Sequence, residues 1–204
     1  MKKILIILSV FLLCGCTNNQ TFSEEKVVEE LNKIVTTDIK ANEGAKGFKY
    51  YKPRDYASLE TSDFIHVLVH KGNKFYLNVD ANAYYDKMII KYEEKPELYL
   101  SKKIDLDNEK QAYLEIKELN NSYFLVKMLY NYSSIEVSVK ENELYDSVIG
   151  SMIILSSIKY NDAVIASIIN DADIDTRENT YEIRKPKIDK EKTNILDVYK
   201  EEAN

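Results

Sequence analysis

Between Gly47 and Val139 apolar residues recur at every second position in short runs separated by turn formers. That period admits one kind of structure, a sheet of short strands joined mostly by tight connections, hence a mainly antiparallel meander. Phe64–Val69 and Phe75–Val79 flank the run His70-Lys71-Gly72-Asn73-Lys74 and predict a hairpin. A three-residue loop of Lys71, Gly72 and Asn73 pairs Val69 with Phe75, Val67 with Leu77 and Ile65 with Val79, which puts all six apolar residues on one face. A two-residue loop would mix them with Tyr76, Asn78 and Asp80, so the longer loop is the expected one. Further strands are predicted at Leu98–Ile104, Ala112–Leu119, Tyr123–Tyr132 and Ile135–Val139, with Asn120-Asn121 as a turn. Gly47–Pro53 is a short strand that proline must end. Residues 80–97, with Tyr84, Tyr85, Met88, Ile89 and Ile90, fit an extra strand or a short helix.

On either side of this region the period is helical. Ser23 suits an N-cap, Glu24 and Glu25 suit a first turn, and Val27, Val28, Leu31, Ile34 and Val35 form one stripe. After Val139, Asn142 is the expected cap of a long helix whose Leu144, Val148, Met152 and Leu155 face a core. Ile149, Ile153 and Ile154 widen that stripe, and Ser147, Gly150 and Ser151 allow close approach of a neighbour. A second helical piece runs from Ala163 to Ile169 behind Asn161-Asp162. The fold class is therefore α+β. The globular domain is expected over residues 23–170, and residues 171–204, charged and poor in large apolar side chains, form a loosely ordered tail.

The formal charge of −6, with no dense basic block, argues against nucleic acid as a partner. Two cysteines and two histidines are too few for a disulfide scaffold or a multi-cysteine zinc module. His66 and His70 stand four apart, but on a strand that spacing leaves them roughly 13 Å apart, too far for one ion. Both are expected on a polar or half-covered sheet face, and no metal or cofactor is expected. Gly150-Ser151 lacks the G-x-S-x-G frame of a nucleophile elbow and falls within the long helix, as Ser156-Ser157 does. The acids Glu93-Glu94, Asp105/Asp107 and Asp171/Asp173/Asp175 invite glycosidase or calcium readings. The last group lacks the loop glycine and carries Arg177, so a solvated acidic turn is expected instead. The 16 tyrosines, among them Tyr50-Tyr51, Tyr84-Tyr85 and Tyr130/Tyr132, could stack on sugars or peptides, although tyrosine is also a favoured strand residue.

The N-terminus carries Lys2-Lys3, the apolar stretch Ile4–Leu13 broken only by Ser9, then Cys14-Gly15-Cys16-Thr17. Two positive charges before about ten apolar residues make an export signal too short to cross a bilayer permanently. Leu13-Cys14-Gly15-Cys16 resembles the lipobox of bacterial lipoproteins, which implies cleavage after Gly15, an S-diacylglycerol and an N-acyl group on Cys16, and no free thiol in the mature chain. Residues 1–15 are then the signal peptide and 16–22 a lipidated tether. The expected partner is the lipid bilayer, and the expected location is the extracytoplasmic face of the cell membrane.

The run Gly47-Phe48-Lys49-Tyr50-Tyr51-Lys52-Pro53-Arg54-Asp55-Tyr56 resembles the opening motif of PsbP-like domains, a superfamily that includes LpqN and DcrB lipoproteins. The resemblance covers about residues 47–160 and departs from the family at Tyr56, where tryptophan is frequent, and in the charged tail. It implies an α/β/α sandwich with an antiparallel sheet packed between an N-terminal and a long C-terminal helix. It also implies a non-enzymatic binding or assembly module for an envelope protein or small ligand, without transferring any catalytic, cofactor or ligand residue. The alternatives are an envelope-polymer hydrolase using carboxylates and a purely structural envelope lipoprotein.

Overall fold

The computed structural model describes residues 22–104, 106 and 110–171. The expected signal peptide, Cys16, the expected tether up to residue 21 and the expected tail beyond Asp171 lie outside the described residues, as do Asp105 and Asp107.

Helix α1 (Glu24–Val35) buries Val27, Leu31 and Ile34. Ser23 occupies its N-cap without a side-chain cap bond, and its backbone carbonyl accepts from Val27 N–H at 3.0 Å. Strands β1 (Glu43–Ala45) and β2 (Phe48–Tyr50) form a small antiparallel sheet that β10 (Lys159–Tyr160) later joins. Gly47 connects β1 to β2 at φ +83°, where a side chain would be strained and a Cβ would stand 3.0 Å from Ile165.

The main sheet takes β3 (Ala57–Thr61), β4 (Ile65–His70), β5 (Asn73–Val79), β6 (Leu100–Ile104), β7 (Ala112–Glu118), β8 (Tyr123–Tyr130) and β9 (Ser133–Lys140). Its order is β3-β4-β5-β9-β8-β7-β6. Every pairing is antiparallel, so the meander is as expected, but it is two meanders, β3-β4-β5 and β6-β7-β8-β9, joined where β5 meets β9. The turn at 120–122 is a single 3₁₀ turn in which Ser122 takes φ +60°.

The β4–β5 hairpin differs from expectation. Val69 pairs with Lys74, Val67 with Tyr76 and Ile65 with Asn78, so the loop is Lys71-Gly72 alone. Both loop residues have positive φ, +50° and +83°, the geometry of the type I′ turn whose twist matches the strands. That turn sends His66, Leu68 and His70 to the core side with Phe75 and Leu77. The polar or half-covered face expected for the histidines is therefore corrected for His66, which is buried, while His70 is half-buried. Aromatic residues from outside the hairpin, Phe48, Tyr50 and Tyr56, line this part of the core and supply the rings that an imidazole can pack on.

Helix α2 (Ala81–Tyr85) resolves the first part of 80–97: Asp80 caps it by accepting from Ala83 N–H at 2.8 Å. Residues 86–99 form neither helix nor strand. The long helix α3 (Glu141–Ser156) starts one residue before the expected cap Asn142, because β9 runs into it at Lys140 with no loop between. It buries Leu144, Val148, Met152, Ile154 and Leu155, each worth about 1.5–3 kcal/mol when removed from water. Helix α4 (Asp162–Asp171) is capped by Asn161, whose Oδ1 accepts from Val164 N–H at 3.2 Å.

The expected sheet between two helices takes a different form. Helix α3 lies on β8 and β9, and α1 packs on α3 and reaches β6, so both helices cover the same face. Beneath them run the rows Leu100–Ile116–Val126–Val137 and Leu114–Met128–Ile135–Leu77–His66. The domain is a mixed α and β fold with a large antiparallel sheet. Among the described residues no helix is long and apolar enough to cross a membrane.

Candidate functional site

The face of the main sheet turned away from α1 and α3 is where the chain presents an ordered surface. Strand alternation aims Ser101, Glu115, Lys127, Glu136, Tyr76, Val67 and Glu60 to this side, and register sets them directly opposite one another as one row across the sheet. Its centre alternates in charge. Lys127 Nζ lies 3.4 Å from Glu136, and Lys95, from the segment after α2, reaches Glu115 at 2.7 Å. A second row places Lys103, Tyr113, Leu129, Ser134, Asn78 and Ile65 side by side. In the middle of these rows Glu115, Lys127, Glu136, Tyr76 and Tyr113 are half-buried and Leu129 is buried, although none of the described helices lies on them.

Residues 86–99 cross the β6–β7 end of this face as a strap. Ile90 N–H donates to Gln111 Oε1 at 2.6 Å, and Gln111 Nε2 donates back to Met88 O at 3.1 Å. Tyr92 lies flat on Tyr113, with ring centroids 4.2 Å apart and planes 4° apart. Lys95 N–H donates to Ser101 Oγ at 2.8 Å, and Glu94 Oε1 accepts from Lys103 N–H at 3.1 Å. Burial pushes the hydroxyls of Tyr92 and Tyr113 up to about 12, so both stay neutral hydrogen-bonding groups. Glu93-Glu94 thus lies on a strap that Lys95 and Glu94 hold to the sheet.

The two histidines have separate aromatic surroundings. His66 is 3% exposed, its Nδ1 lies 3.0 Å from the Tyr50 hydroxyl, and the rings of Phe48 and Tyr50 sit 5.4 Å away. His70 stacks on Tyr56 at 4.5 Å and contacts Asp55 at 3.2 Å. Among the described residues no group of three or more His, Cys, Asp or Glu side chains is placed to hold a metal.

Desolvation holds the His66 imidazole below its ordinary 6.5, partly opposed by a hydrogen bond with the Ser62 backbone and by the charge of Glu43. The unfolded chain therefore takes up this proton before the folded one as pH falls. The contribution to stability is complete above about pH 6.5 and is lost as pH drops from there through the lower, folded-state value. His66→Gln, which leaves an acceptor for Tyr50, should flatten the fall in melting temperature between about pH 7 and pH 5. An unchanged pH profile in this variant would show that His66 does not titrate in that window.

The tyrosine pairs singled out from sequence divide by position. Tyr50 is in the core, and burial pushes its hydroxyl up to about 12. Tyr84 stacks on Tyr160 at 4.0 Å, meets Tyr132 edge-on, donates to Asp162, and has Lys87 Nζ 3.6 Å above its other face. With both faces of Tyr84 covered, this cluster clasps α2, the β8–β9 turn, β10 and the start of α4. It is not a platform for a sugar. Ser157 is a second clasp, donating to Ile154 O at 2.6 Å and accepting from Tyr51 N–H at 2.7 Å. Ser151 is fully buried in α3 with a hydroxyl that finds no partner, which removes it as a nucleophile accessible to substrate. The charge row and the strap were missed in the sequence reading. Alternation at 113, 115 and 117 and at 125, 127 and 129 was visible, but the partner register that lines these residues up was not.

No protein-family model matches the chain, and no curated protein is significantly similar to it.

Proposed function

We propose that this chain is an exported lipoprotein, held at the extracytoplasmic face of the cell membrane through acylated Cys16, whose domain is a non-enzymatic binding or assembly module for an envelope protein or small ligand. The anchor rests on the residues Leu13-Cys14-Gly15-Cys16 behind a short apolar leader. The binding role rests on one observation, the sheet face that carries the Glu115–Lys127–Glu136 row without a helix upon it. A row of alternating charges fixes the orientation of a partner more than it adds to affinity, which suits assembly.

We also propose kinship with PsbP-like domains. The motif that carries this resemblance is a structural unit: Gly47 supplies the positive φ, Phe48 and Tyr50 enter the core, and Pro53 O accepts from Tyr56 N–H at 3.0 Å. The sandwich that such kinship implies has a layer on each side of the sheet, and the described helices α1 and α3 supply one of them.

Both parts of the proposal are tested together by a photo-crosslinking residue in place of Leu125, which lies on the uncovered face beside Lys117 and Ser138. In intact cells fed an alkyne fatty acid, the full chain should take up label and yield a discrete crosslinked product. Cys16→Ala should abolish the label, release the protein or leave it unprocessed, and remove the product. Label persisting in Cys16→Ala would reject the anchor. A labelled chain giving no product from Leu125 would reject the face.

A further inference from the structure

Of the six large hydrophobic side chains that are exposed among the described residues, five lie on one segment: Tyr85, Met88, Ile89, Ile90 and Tyr99, at 41–69% exposure. The sixth, Leu59, is on β3 at the far edge of the sheet. The five are held in place. Met88 N–H donates to Ala83 O at 2.9 Å, and the Gln111 amide ties Met88 and Ile90 to the start of β7. From there the strap follows β7 from end to end, passing Tyr113 at Tyr92 and Glu115 at Lys95, until Tyr99 meets Phe124 at 4.9 Å.

The N-terminal end of the described chain arrives at this same border. Phe22 packs on Tyr99 at 6.0 Å, and Glu24 pairs with Lys102 of edge strand β6 at 2.9 Å. Residues 16–21, the stretch between the proposed lipid and Phe22, span about 20 Å when fully extended, close to the roughly 20 Å length of β7. A bilayer holding Cys16 is thus within reach of the whole β6–strap border and is present there at high effective concentration.

We propose that this border is the membrane-facing side of the domain, with Met88, Ile89 and Ile90 entering the headgroup region of the lipid bilayer. This proposal rests on the lipid-anchor reading above. Three consecutive apolar side chains pushed outward suit a fluid apolar phase. Tyr85 and Tyr99 at the two ends suit the water–lipid boundary, where aromatic rings with a polar tip collect. Lys91 follows the run and can lay its stem along it while its charge stays among phosphates. The chain's net charge of −6 gives no general attraction to an anionic surface, so the contact is apolar and follows anchoring instead of replacing it. The charge row lies on the sheet's outer face, beyond the strap.

The chain contains no tryptophan, so Ile89→Trp and Leu59→Trp each create a single fluorescent reporter at an exposed position. Both full-length variants, acylated in cells, are reconstituted into phosphatidylcholine vesicles with and without brominated lipid, and flotation is measured. The expected result is flotation of both, with a blue shift and bromine quenching for Ile89→Trp and neither for Leu59→Trp. Floating protein whose Ile89→Trp emission stays unquenched overturns the membrane contact, leaves the anchor standing and assigns the patch to a protein partner. Equal quenching at both positions overturns the defined orientation. Failure to float, together with loss of fatty-acid label, overturns the anchor and this proposal with it.

Discussion

Val148→Asp should destabilise the domain by several kcal/mol and lower its melting temperature steeply. Val148 is fully buried on α3, the helix that covers β8 and β9, and belongs to the continuous apolar core of the domain. Burying an uncompensated charge costs about 3–5 kcal/mol, against about 5–15 kcal/mol of total stability for a domain. Met152, equally buried one turn on, should behave alike. Circular dichroism melts would decide the matter. A melting curve superimposable on that of the unmodified chain would mean that α3 is peripheral and the layer it forms on the sheet is wrong.

A loss of about 1–3 kcal/mol, the usual range for an overfilled core, is expected from the far smaller change Gly150→Ala. A Cβ at position 150 would overlap the Tyr56 hydroxyl and lie 3.3 Å from its Cζ. The ring cannot easily withdraw, because it is stacked flat on His70, with planes 4° apart, and packed at 5.0 Å against Phe75. Removing the hydroxyl relieves the overlap, so Gly150→Ala combined with Tyr56→Phe should be more stable than the sum of the two separate effects predicts. Denaturant unfolding of the four proteins completes the cycle. Additive losses would show that α3 and Tyr56 do not meet at this point.

The parts of the fold legible in sequence were those in which a period and a burial face agree. Val27, Leu31 and Ile34 fall on one side of α1, and Leu144, Val148 and Leu155 on one side of α3, and each stripe is buried. Strands β7, β8 and β9 alternate and pair as alternation dictates. The β4–β5 hairpin failed the same logic because hydrophobicity alone cannot price a turn. Setting Val67 against Tyr76 gives up the cleanest apolar face, yet Lys71-Gly72 forms the favoured two-residue turn, Tyr50 gives His66 a place in the core and Tyr56 stacks on the half-buried His70. The helices side by side on one face also went unread, since a stripe tells which side of a helix is buried but not which side of the sheet receives it. Of the candidate site, the tyrosines and charges were visible one at a time. Their assembly into a row depends on pairings such as Glu136 with Tyr76, which join residues far apart in the chain.

That last pairing has a kinetic consequence. Each of the two meanders is built from neighbours in sequence and can form by short loop closures, but the seam between β5 and β9 brings together Tyr76 and Glu136, Leu77 and Ile135, and Val79 and Ser133 across an intervening stretch of about 60 residues. The entropy of closing a loop grows with its length, and contacts of this span are rewarded only after that cost has been met. The seam is therefore the natural rate-limiting step. Until it closes, β5 and β9 are both open edges able to pair with strands of another chain. The interval before the seam closes is the time when the chain is most exposed to aggregation, and under the export proposed above it would fall outside the cytoplasm.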